Sequence, residues 1–188
     1  MSTTPYYRPA KRIVITGGPG VGKTALLEIA RRSLCAHVEV LPDAARLLFD
    51  GGFPRGTDSH SIRAAQRAIY HVQAELESVA LSNDKLAAIL CDRGTLDALA
   101  YWPGRREDFF AELKTTEYEE VQRYEAVLHL RLPASAPREA REIDARLVEV
   151  WTSHPKRVFI APEGDAIERV AEAMMVLVNA IDCPECRA

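Results

Sequence analysis

Short apolar runs alternate with longer amphipathic stretches along almost the whole chain. Five runs have the length and residue types of β-strands, and they lie near residues 12–16, 37–41, 86–91, 126–132 and 157–161. Stretches with helical spacing lie near residues 22–34, 44–49, 60–81, 95–101, 106–123, 138–151 and 163–181. The longest of them places apolar residues every three or four positions from Ile62 to Val79. This alternation predicts an α/β fold built on a parallel sheet.

The composition agrees with one globular domain that spans residues 1–188. Hydrophobic residues make up 47% of the chain and charged residues 27%, which is close to average globular usage. A net charge of −3 gives no bulk attraction to nucleic acid or to an anionic membrane. No apolar stretch approaches the roughly 20 residues that span a bilayer, and the first residues lack the apolar segment of a secretory signal. We therefore expect a cytoplasmic protein without a membrane span.

The four cysteines do not form the pattern of a disulfide framework. Cys35 and Cys91 lie in apolar surroundings, so we expect them to be buried thiols. Cys183-Pro-Glu-Cys186 has the spacing of a metal or redox pair, but a zinc site normally needs four ligands and no second pair is in view. The preferred interpretation is a frayed C-terminal end.

The clearest functional motif is GGPGVGKT at residues 17–24, which fits the P-loop pattern G-x-x-x-x-G-K-[ST] between a predicted strand and a predicted helix. Glycines let backbone N–H groups surround phosphate oxygens, and the helix N-terminus adds positive potential. Lys23 is expected to be catalytic through the β- and γ-phosphates, and the Thr24 hydroxyl is expected to bind Mg²⁺. The motif predicts a purine nucleoside triphosphate with Mg²⁺, either ATP or GTP. The expected nucleotide-binding residues are Gly17, Gly18, Pro19, Gly20, Val21, Gly22, Lys23, Thr24 and Ala25.

A second motif, Asp92-Arg93, follows the third predicted strand and separates the classes of P-loop protein. A GTPase carries an N-K-x-D motif, whereas the nearest string here is Ser82-Asn83-Asp84-Lys85. A hydrolytic ATPase usually places a glutamate after its strand-end aspartate, where this chain has Arg93. A small-molecule kinase uses an acid for the metal or acceptor and an arginine for the transferred phosphoryl group, and Asp92-Arg93 fits that class. The alternative is a surface pair at the start of a helix.

Polar residues also follow the second predicted strand and lie along the longest helix. Asp43 comes at the end of that strand, with Arg46 one helical turn later. Because the carboxyl ends of parallel strands share one edge, Asp43 and Asp92 are expected to converge there with the P-loop. Gln66 and Gln73 are seven residues apart on the apolar stripe of the long helix, where they could bind a substrate. The alternative is that both glutamines are partly exposed at the edge of the stripe.

Together these segments resemble the AAA-domain P-loop proteins of the NadR-kinase type. The resemblance rests on GGPGVGKTALLE, PDAAR, QRAIYHVQAELE, DRGTLDALAYW and YEAVLHLRLP, which follow one another over nearly the whole chain. It implies a three-layer P-loop kinase-like fold whose five-stranded parallel sheet has the order 2-3-1-4-5. By analogy with nucleoside kinases, Asp43 would be the acceptor base, Asp92 a Mg²⁺ ligand and Arg93 a phosphate contact. The string that begins at Asp92 also brings Asp97 into the expected substrate site.

Two features depart from that family. The acid after the second strand is usually glutamate, and Asp43 is one methylene shorter, which reduces its reach towards an acceptor hydroxyl. The lid near residues 132–151 is short, and Arg138 and Arg141 are the arginines available to it. These two would act as catalytic lid residues. The alternative is that Arg138, Arg141 and Arg146 pair with Glu142 and Glu149 on an exposed helix.

The preferred function is a Mg²⁺-dependent kinase that uses ATP or GTP to phosphorylate a small hydroxyl-bearing metabolite, such as a nucleoside. The family contains a ribosylnicotinamide kinase domain and a photoreceptor-channel translocation protein, so it mixes enzymes with regulatory nucleotide binders. The alternative is therefore a non-transferring nucleotide switch or slow NTPase that docks a protein or lipid partner. That alternative predicts a shallow, open acceptor side between Asp43, Gln66 and Asp92, whereas an enclosed polar pocket there would argue against it. The sequence leaves the acceptor and the oligomeric state open.

Overall fold

Five parallel strands form the central sheet in a computed structural model of the protein, which describes residues 9–186. The strands are β1 (Lys11–Thr16), β2 (Val38–Leu41), β3 (Ala88–Asp92), β4 (Ala126–Leu130) and β5 (Arg157–Ile160). Their order across the sheet is β2-β3-β1-β4-β5, which confirms the order that the family resemblance implies. The expectation that the first residues hold no secretory signal concerns residues 1–8 and lies outside the described range.

Within residues 9–186, seven α-helices flank the sheet, and a 3₁₀ helix covers Thr95–Tyr101, where an ordinary helix is predicted. The α-helices are α1 (Lys23–Ser33), α2 (Ala44–Asp50), α3 (Ser59–Leu81), α4 (Arg106–Leu113), α5 (Glu117–Gln122), α6 (Arg138–Val150) and α7 (Ala166–Ile181). The single helix predicted over residues 106–123 is wrong, because Lys114 ends α4 in a left-handed conformation with φ 55°. Thr116 then starts α5 through a capping box with Glu119, a signal that the sequence carries in Thr-x-x-Glu.

Each face of the sheet has its own hydrophobic core, because successive strand residues point to opposite sides. On β1, Val14 faces a core that includes residues of α3, α4 and α6, such as Phe109. Ile13 and Ile15 face the other core, which is formed with α1 and α7 and contains the fully buried Leu177. Complete burial of such a side chain contributes roughly 1.5–3 kcal/mol relative to exposure. The result is the three-layer α/β/α arrangement that the sequence predicts.

None of the helices described for residues 9–186 has both the length and the hydropathy of a membrane-crossing segment.

The parallel strands give the sheet two chemically different edges. At the carboxyl edge, the P-loop follows β1, Asp43 comes after β2 and Arg93 follows β3 directly. At the amino edge, the segment between α1 and β2 meets the C-terminal residues that follow α7. Because ligands of open parallel sheets bind outside the carboxyl ends of the strands, the nucleotide site is expected at the carboxyl edge.

Residues 183–186, near the C-terminal end, are packed against the amino edge, so the prediction of a frayed end is wrong for them. Asp182 ends α7 with φ 56°, and a short 3₁₀ helix covers Pro184–Cys186. Cys183 is only 5% exposed, and its Sγ lies 3.6 Å from the Sγ of Cys35. The physical reason is that Cys183 continues the apolar side of α7 into the core beneath it. Cys91 is fully buried as predicted, whereas Cys35 is partly buried because it lies in the turn after α1.

Candidate active site

The P-loop joins β1 to α1 at the centre of the carboxyl edge. Gly17 has φ 136°, a value that favours glycine, and a side chain there would collide with the carbonyl oxygen of Leu130 on β4. Gly22 is exposed and precedes the 11 residues of α1 directly, so the N-terminus of this helix is open to a phosphate group. Thr24 is exposed in the first turn of the helix. The backbone thus has the form of a phosphate-binding loop.

Lys23 is buried within this loop. Its Nζ donates hydrogen bonds to the carbonyl oxygens of Gly17 at 2.8 Å and Gly18 at 3.0 Å. Burial, and then the positive charge of Arg93, lowers the pKa of Lys23 to about 8. A phosphate group would replace two neutral acceptors by a charged one, which is the stronger partner for an ammonium group.

Asp144 on α6 supports the P-loop from a distant part of the sequence. Its Oδ1 accepts hydrogen bonds from the Gly18 amide and from His129 Nε2, both at 3.0 Å, and its Oδ2 accepts from Arg131 Nε at 2.9 Å. Burial alone would raise the pKa of Asp144, but the hydrogen bonds from His129, Arg131 and Gly18 lower it to about 2. Sequence reasoning missed this residue, because 126 positions separate it from the glycine that it holds.

Asp92 ends β3 with a carboxylate that is only partly satisfied. Its side chain is buried, and Oδ1 has no hydrogen-bond partner among the described residues. Burial, and then the charge of Asp43, raises the pKa of Asp92 to about 6. A buried carboxylate oxygen without a donor suits a cation. The Thr24 hydroxyl and Asp92 therefore fit the oxygen ligands that Mg²⁺ takes at P-loop sites.

Arg93 has a constrained backbone and a side chain that is only 15% exposed. Its φ is 79°, which is unusual for a residue other than glycine, and its amide donates to the Ile15 carbonyl at 3.1 Å. The guanidinium group pairs with Asp43 Oδ2 at 3.4 Å and with Asp97 Oδ2 at 3.3 Å. Burial alone would lower the pKa of Arg93, but Tyr101, Asp97 and Asp43 together raise it. The alternative of a surface pair at the start of a helix is therefore wrong.

Asp97 is held by three donors. Oδ1 accepts from Trp151 Nε1 at 2.6 Å, and Oδ2 accepts from the Thr16 hydroxyl at 2.7 Å and from Arg93. With 2% exposure, this carboxylate fixes the position of Arg93 from beneath. Substrate binding by Asp97 stays a prediction, and its visible contacts are those of a positioning residue.

Asp43 has two separate contacts. Its Oδ1 accepts from the amides of Ala45 at 2.8 Å and Arg46 at 3.3 Å, so it is the N-cap of α2. Its Oδ2 points to Arg93. Arg46 pairs with Asp50 one turn later, at 3.3 Å, on the rim of the neighbouring cavity. The proposed base therefore keeps one oxygen outside the helix cap.

A cavity of about 530 Å³ lies beside these residues, between α2, α3 and the 3₁₀ helix. Gln66 and Gln73 are both buried and line it, so the alternative of partial exposure at the edge of the stripe is wrong. The predicted acceptor side included Asp92, but Asp92 does not line the cavity. Its neighbour Arg93 does. The other lining side chains include Asp43, Arg46, Phe49, Arg55, Ile62, Ile69, Asp97, Tyr101 and Arg146.

The side-chain amide of Gln73 has one atom that is paired and one that is not. Its Nε2 donates to Glu77 Oε1 at 3.0 Å, and Glu77 Oε1 also accepts from the Tyr124 hydroxyl at 2.7 Å. Since a carboxylate can only accept hydrogen bonds, the amide nitrogen of Gln73 must face Glu77. Gln73 Oε1 is left buried without a partner within residues 9–186.

The arginines of α6 are arranged differently from the prediction. Arg138 is 85% exposed and pairs with Glu142 at 2.7 Å, and Arg141 Nε donates to the Ala136 carbonyl at 3.1 Å. Neither lines the cavity, so their role in a lid stays a prediction. Arg146 does line it, and sequence reasoning missed this role. The available signal was its position three residues after Ile143, beside the apolar stripe of the helix.

A family model described as an AAA domain matches residues 12–169, which is most of the chain. No curated protein sequence is significantly similar to it. A solved NadR protein in complex with NR aligns with a TM-score of 0.71 and 16% identity over 94% of this chain and 53% of the NadR chain. The complex of NadR with NAD and AMP-PNP aligns with a TM-score of 0.67 and 15% identity, over 93% and 50% of the two chains. The protein thus spans about half the length of these NadR chains.

Smaller kinases share the fold over their whole length. Deoxyadenosine kinase from M. mycoides with bound dATP aligns with a TM-score of 0.59 and 14% identity, over 89% of this chain and 98% of its own. Thymidylate kinase from Ehrlichia chaffeensis aligns with a TM-score of 0.59 and 16% identity, over 90% and 100% of the two chains. The protein therefore has the fold of the P-loop kinases and belongs to the AAA domain family.

Proposed function

We propose that the protein transfers the γ-phosphoryl group of ATP or GTP to a hydroxyl group of a small acceptor, such as a nucleoside, with the help of Mg²⁺. The observation that carries this proposal is the cavity of about 530 Å³ whose wall contains both Asp43 and Arg93. Lys23 of the P-loop is close enough to both side chains for their charges to act on its pKa. Nucleotide site and cavity thus adjoin, as phosphoryl transfer between two bound molecules requires.

The cavity wall suits a molecule with a flat ring and hydrogen-bonding groups. Phe49 and Ile62 offer apolar surface, and the Arg55 guanidinium stacks over the Phe49 ring at 4.0 Å from its centroid. Gln66 adds an amide, and Gln73 Oε1 would accept a hydrogen bond from an N–H or O–H of the acceptor. Two solved structures of the same fold were determined with NR and with dATP, which supports a nucleoside-like acceptor.

Three side chains have roles in the proposed transfer step. The acceptor oxygen forms a bond with the γ-phosphorus, and the bond from that phosphorus to the β,γ-bridging oxygen breaks, so that ADP or GDP leaves with the electron pair. Asp43 Oδ2 receives the proton of the acceptor hydroxyl. Lys23 neutralises charge on the β- and γ-phosphates, and Arg93 neutralises charge on the transferred phosphoryl group.

The donor set at the carboxyl edge fits a divalent cation. Thr24 and Asp92 would hold Mg²⁺, which when bound neutralises phosphate charge between the β- and γ-positions. The buried, partnerless Oδ1 of Asp92 supports this assignment. The raised pKa of Asp92 implies that binding of the cation weakens as the pH falls through about 6, because a protonated carboxyl group is a poor ligand.

The alternative of a non-transferring switch expects a shallow, open acceptor side. A cavity lined by Asp43, Gln66, Gln73 and Arg93 weighs against it, because a protein or lipid partner does not need a cavity of small-molecule size with two buried glutamines in its wall. Phosphoryl transfer to a small acceptor is therefore the better supported of the two functions.

The test is a screen of nucleosides, sugars and small alcohols with ATP or GTP and Mg²⁺, with detection of phosphorylated products. Asp43→Asn is expected to reduce transfer by about 10²-fold or more, since the base is lost. Nucleotide affinity should change by no more than about twofold, because asparagine also caps α2. Asp58→Asn is the matched control, as Asp58 is the N-cap of α3 and does not line the cavity. Tight nucleotide binding by the unmodified protein without any phosphorylated acceptor would overturn the proposal.

The α6 arginines allow a second test of the same proposal. If Arg146 contacts the acceptor or the transferred group, Arg146→Gln will lower kcat/KM by roughly tenfold or more. Arg138→Gln and Arg141→Gln test the predicted lid, and a comparable loss in either variant would mean that α6 moves over the nucleotide during the reaction. Activity that is the same in all three variants would exclude every α6 arginine from the reaction.

A further inference from the structure

Three thiol groups meet at the amino edge of the sheet, at the opposite end of α1 from the P-loop, and a histidine lies beside one of them. The Sγ of Cys35 lies 3.6 Å from that of Cys183 and 2.9 Å from that of Cys186. All three sulfur atoms lie within 4.8 Å of one another. The 11 residues of α1 separate this cluster from the nucleotide site by about 16 Å, so the proposed transfer reaction makes no use of it.

The backbone holds the sulfur atoms on one side of a tight turn. Cys186 donates its amide hydrogen to the Cys183 carbonyl at 3.1 Å, and Pro184–Cys186 forms a single 3₁₀ turn. This C-x-x-C turn is the usual way in which a chain supplies two thiolates to one metal ion. Cys35 approaches it from the turn between α1 and β2, which is 148 positions away from Cys183.

His37 lies beside Cys35 and is the nearby residue that could supply a nitrogen ligand. Ligand atoms of Cys35, His37 and Glu185 lie within 4.8 Å of one another and form a second group that shares Cys35 with the three thiols; His37 Nδ1 is 3.1 Å from Glu185 Oε2. A carboxylate hydrogen-bonded to a histidine is the common arrangement around zinc, where it fixes the ring orientation.

We infer that Cys35, Cys183, Cys186 and His37 bind one Zn²⁺ ion, with Glu185 orienting the histidine. Tetrahedral zinc with Zn–S bonds of about 2.3 Å holds its sulfur ligands about 3.8 Å apart. The separation of 3.6 Å between Cys35 and Cys183 already agrees with that value, and Cys186, at 2.9 Å from Cys35, needs to move by about 1 Å. The His37 side chain must turn from Glu185 towards Cys183 and Cys186 to complete the site. Thiolate and imidazole ligands together favour zinc over Mg²⁺ or Ca²⁺, which prefer oxygen.

Such an ion would join the end of α7 to the start of β2. The two segments are distant in sequence but share the core beneath α1 and α7. Zinc binding replaces the thiol protons of the three cysteines and closes a very long loop, so its effect would appear as stability of the fold. The role is structural because all four positions are filled by protein side chains.

The first measurement is the metal content of the full chain, purified without chelators and analysed by elemental mass spectrometry. We expect about one zinc per chain, and removal with a chelator should lower Tm by about 10 °C. Cobalt added to the stripped protein should give the intense charge-transfer absorption of thiolate ligation. These readouts use no nucleotide or acceptor, so their failure is separate from failure of the proposed phosphoryl transfer.

Variants decide which side chains hold the ion. Cys35→Ser and Cys186→Ser should lose zinc and the chelator effect on Tm, and His37→Ala should weaken zinc binding by at least about tenfold. Cys91→Ala is the matched control, because Cys91 is a buried thiol of β3 outside the cluster, and it should retain zinc. Circular dichroism checks that each variant is folded.

Two results would overturn the zinc site. One is an unmodified protein that binds zinc more weakly than about 10⁻⁶ M in competition with a chromophoric chelator, which is far from the affinity of structural sites. The other is a metal-free protein, purified without reductant, in which peptide mapping finds a disulfide between Cys35 and Cys186. Retention of zinc in Cys186→Ser would exclude Cys186 as a ligand and so contradict the proposed set of four.

Discussion

Glu77 and Asp92 are both buried carboxylates, but the protein surrounds them in opposite ways. Glu77 is fully buried, and its two oxygens accept from Gln73, Tyr124, Arg123 at 2.9 Å and Arg12 at 3.4 Å. Asp92 is almost as deeply buried, yet its Oδ1 has no donor within the described part of the chain. The protein satisfies the first charge internally and leaves the second to be satisfied by something that it binds.

The contrast distinguishes buried charges that stabilise the fold from buried charges that are available to bind a ligand. A buried charge with a complete set of donors is a structural element, and removal of the charge exposes its partners to a low-dielectric interior. A buried charge without donors carries a cost in the free protein, and this cost is recovered when a cation arrives. Substitutions that neutralise each carboxylate should therefore have opposite signs.

The largest expected effect is that of Glu77→Gln. The variant leaves Arg123 and Arg12 beside a neutral amide that also donates hydrogen bonds, so we expect the free energy of unfolding to fall by roughly 3 kcal/mol. Urea denaturation measures this value. Glu75→Gln, at an exposed position of the same helix, is the control and should change it by less than about 0.5 kcal/mol. Equal effects of the two substitutions would mean that the Glu77 network has no special role in stability.

Asp92→Asn should have an effect of similar size, with the opposite sign. The pKa of Asp92 is raised from its ordinary 3.8 to about 6, so the charged form destabilises the free fold above pH 6, by about 3 kcal/mol. The unfolded chain takes up its proton only near its ordinary pKa, so the difference between variant and parent should fade as the pH falls from about 6 to about 4.

Urea denaturation without nucleotide or metal, at pH values above and below this window, measures the Asp92→Asn difference. The same substitution should abolish the dependence of nucleotide affinity on Mg²⁺. Asp97→Asn is the control, since Asp97 has three donors and its neutralisation should destabilise the protein at every pH. If Asp92→Asn destabilises the protein above pH 6, then the Asp92 charge is stabilised in the free fold, as that of Glu77 is.

The smallest effect should come from Arg138→Gln, which breaks the ion pair with Glu142. This pair contacts neither of the two buried carboxylates. Both partners are exposed, so the free energy of unfolding should change by less than about 0.5 kcal/mol and should respond weakly to salt. The same denaturation series provides the measurement. A loss above about 1 kcal/mol would show that location on the surface does not separate weak pairs from strong ones in this protein.

The sequence predicted the carboxyl edge well because its signals are local. The P-loop is a continuous string, and Asp43 and Arg93 each come just after an apolar strand, so strand ends alone place them at one edge. The strand order came from family resemblance and is confirmed.

The support of the P-loop and the cysteine cluster could not be predicted, because both depend on contacts between segments that are distant in sequence and no local pattern indicates them. Asp144 reaches Gly18 across 126 positions, and Cys35 reaches the C-terminal pair across about 150. The division between α4 and α5 is different, because its signal is local: the capping box of Thr116 and Glu119 lies within the segment that was predicted as a single helix.

Asp43 combines a helix cap with the proposed base, and this combination has an entropic consequence. A free aspartate samples several rotamers, and a base that does so is correctly placed for only a fraction of the time. Here the amides of Ala45 and Arg46 hold Oδ1, so the plane of the carboxylate is fixed when α2 forms. The ordering of the base is completed once, during folding, instead of anew in each catalytic cycle. The shorter side chain, which loses reach, thereby gains a fixed orientation that a glutamate at this position would lack.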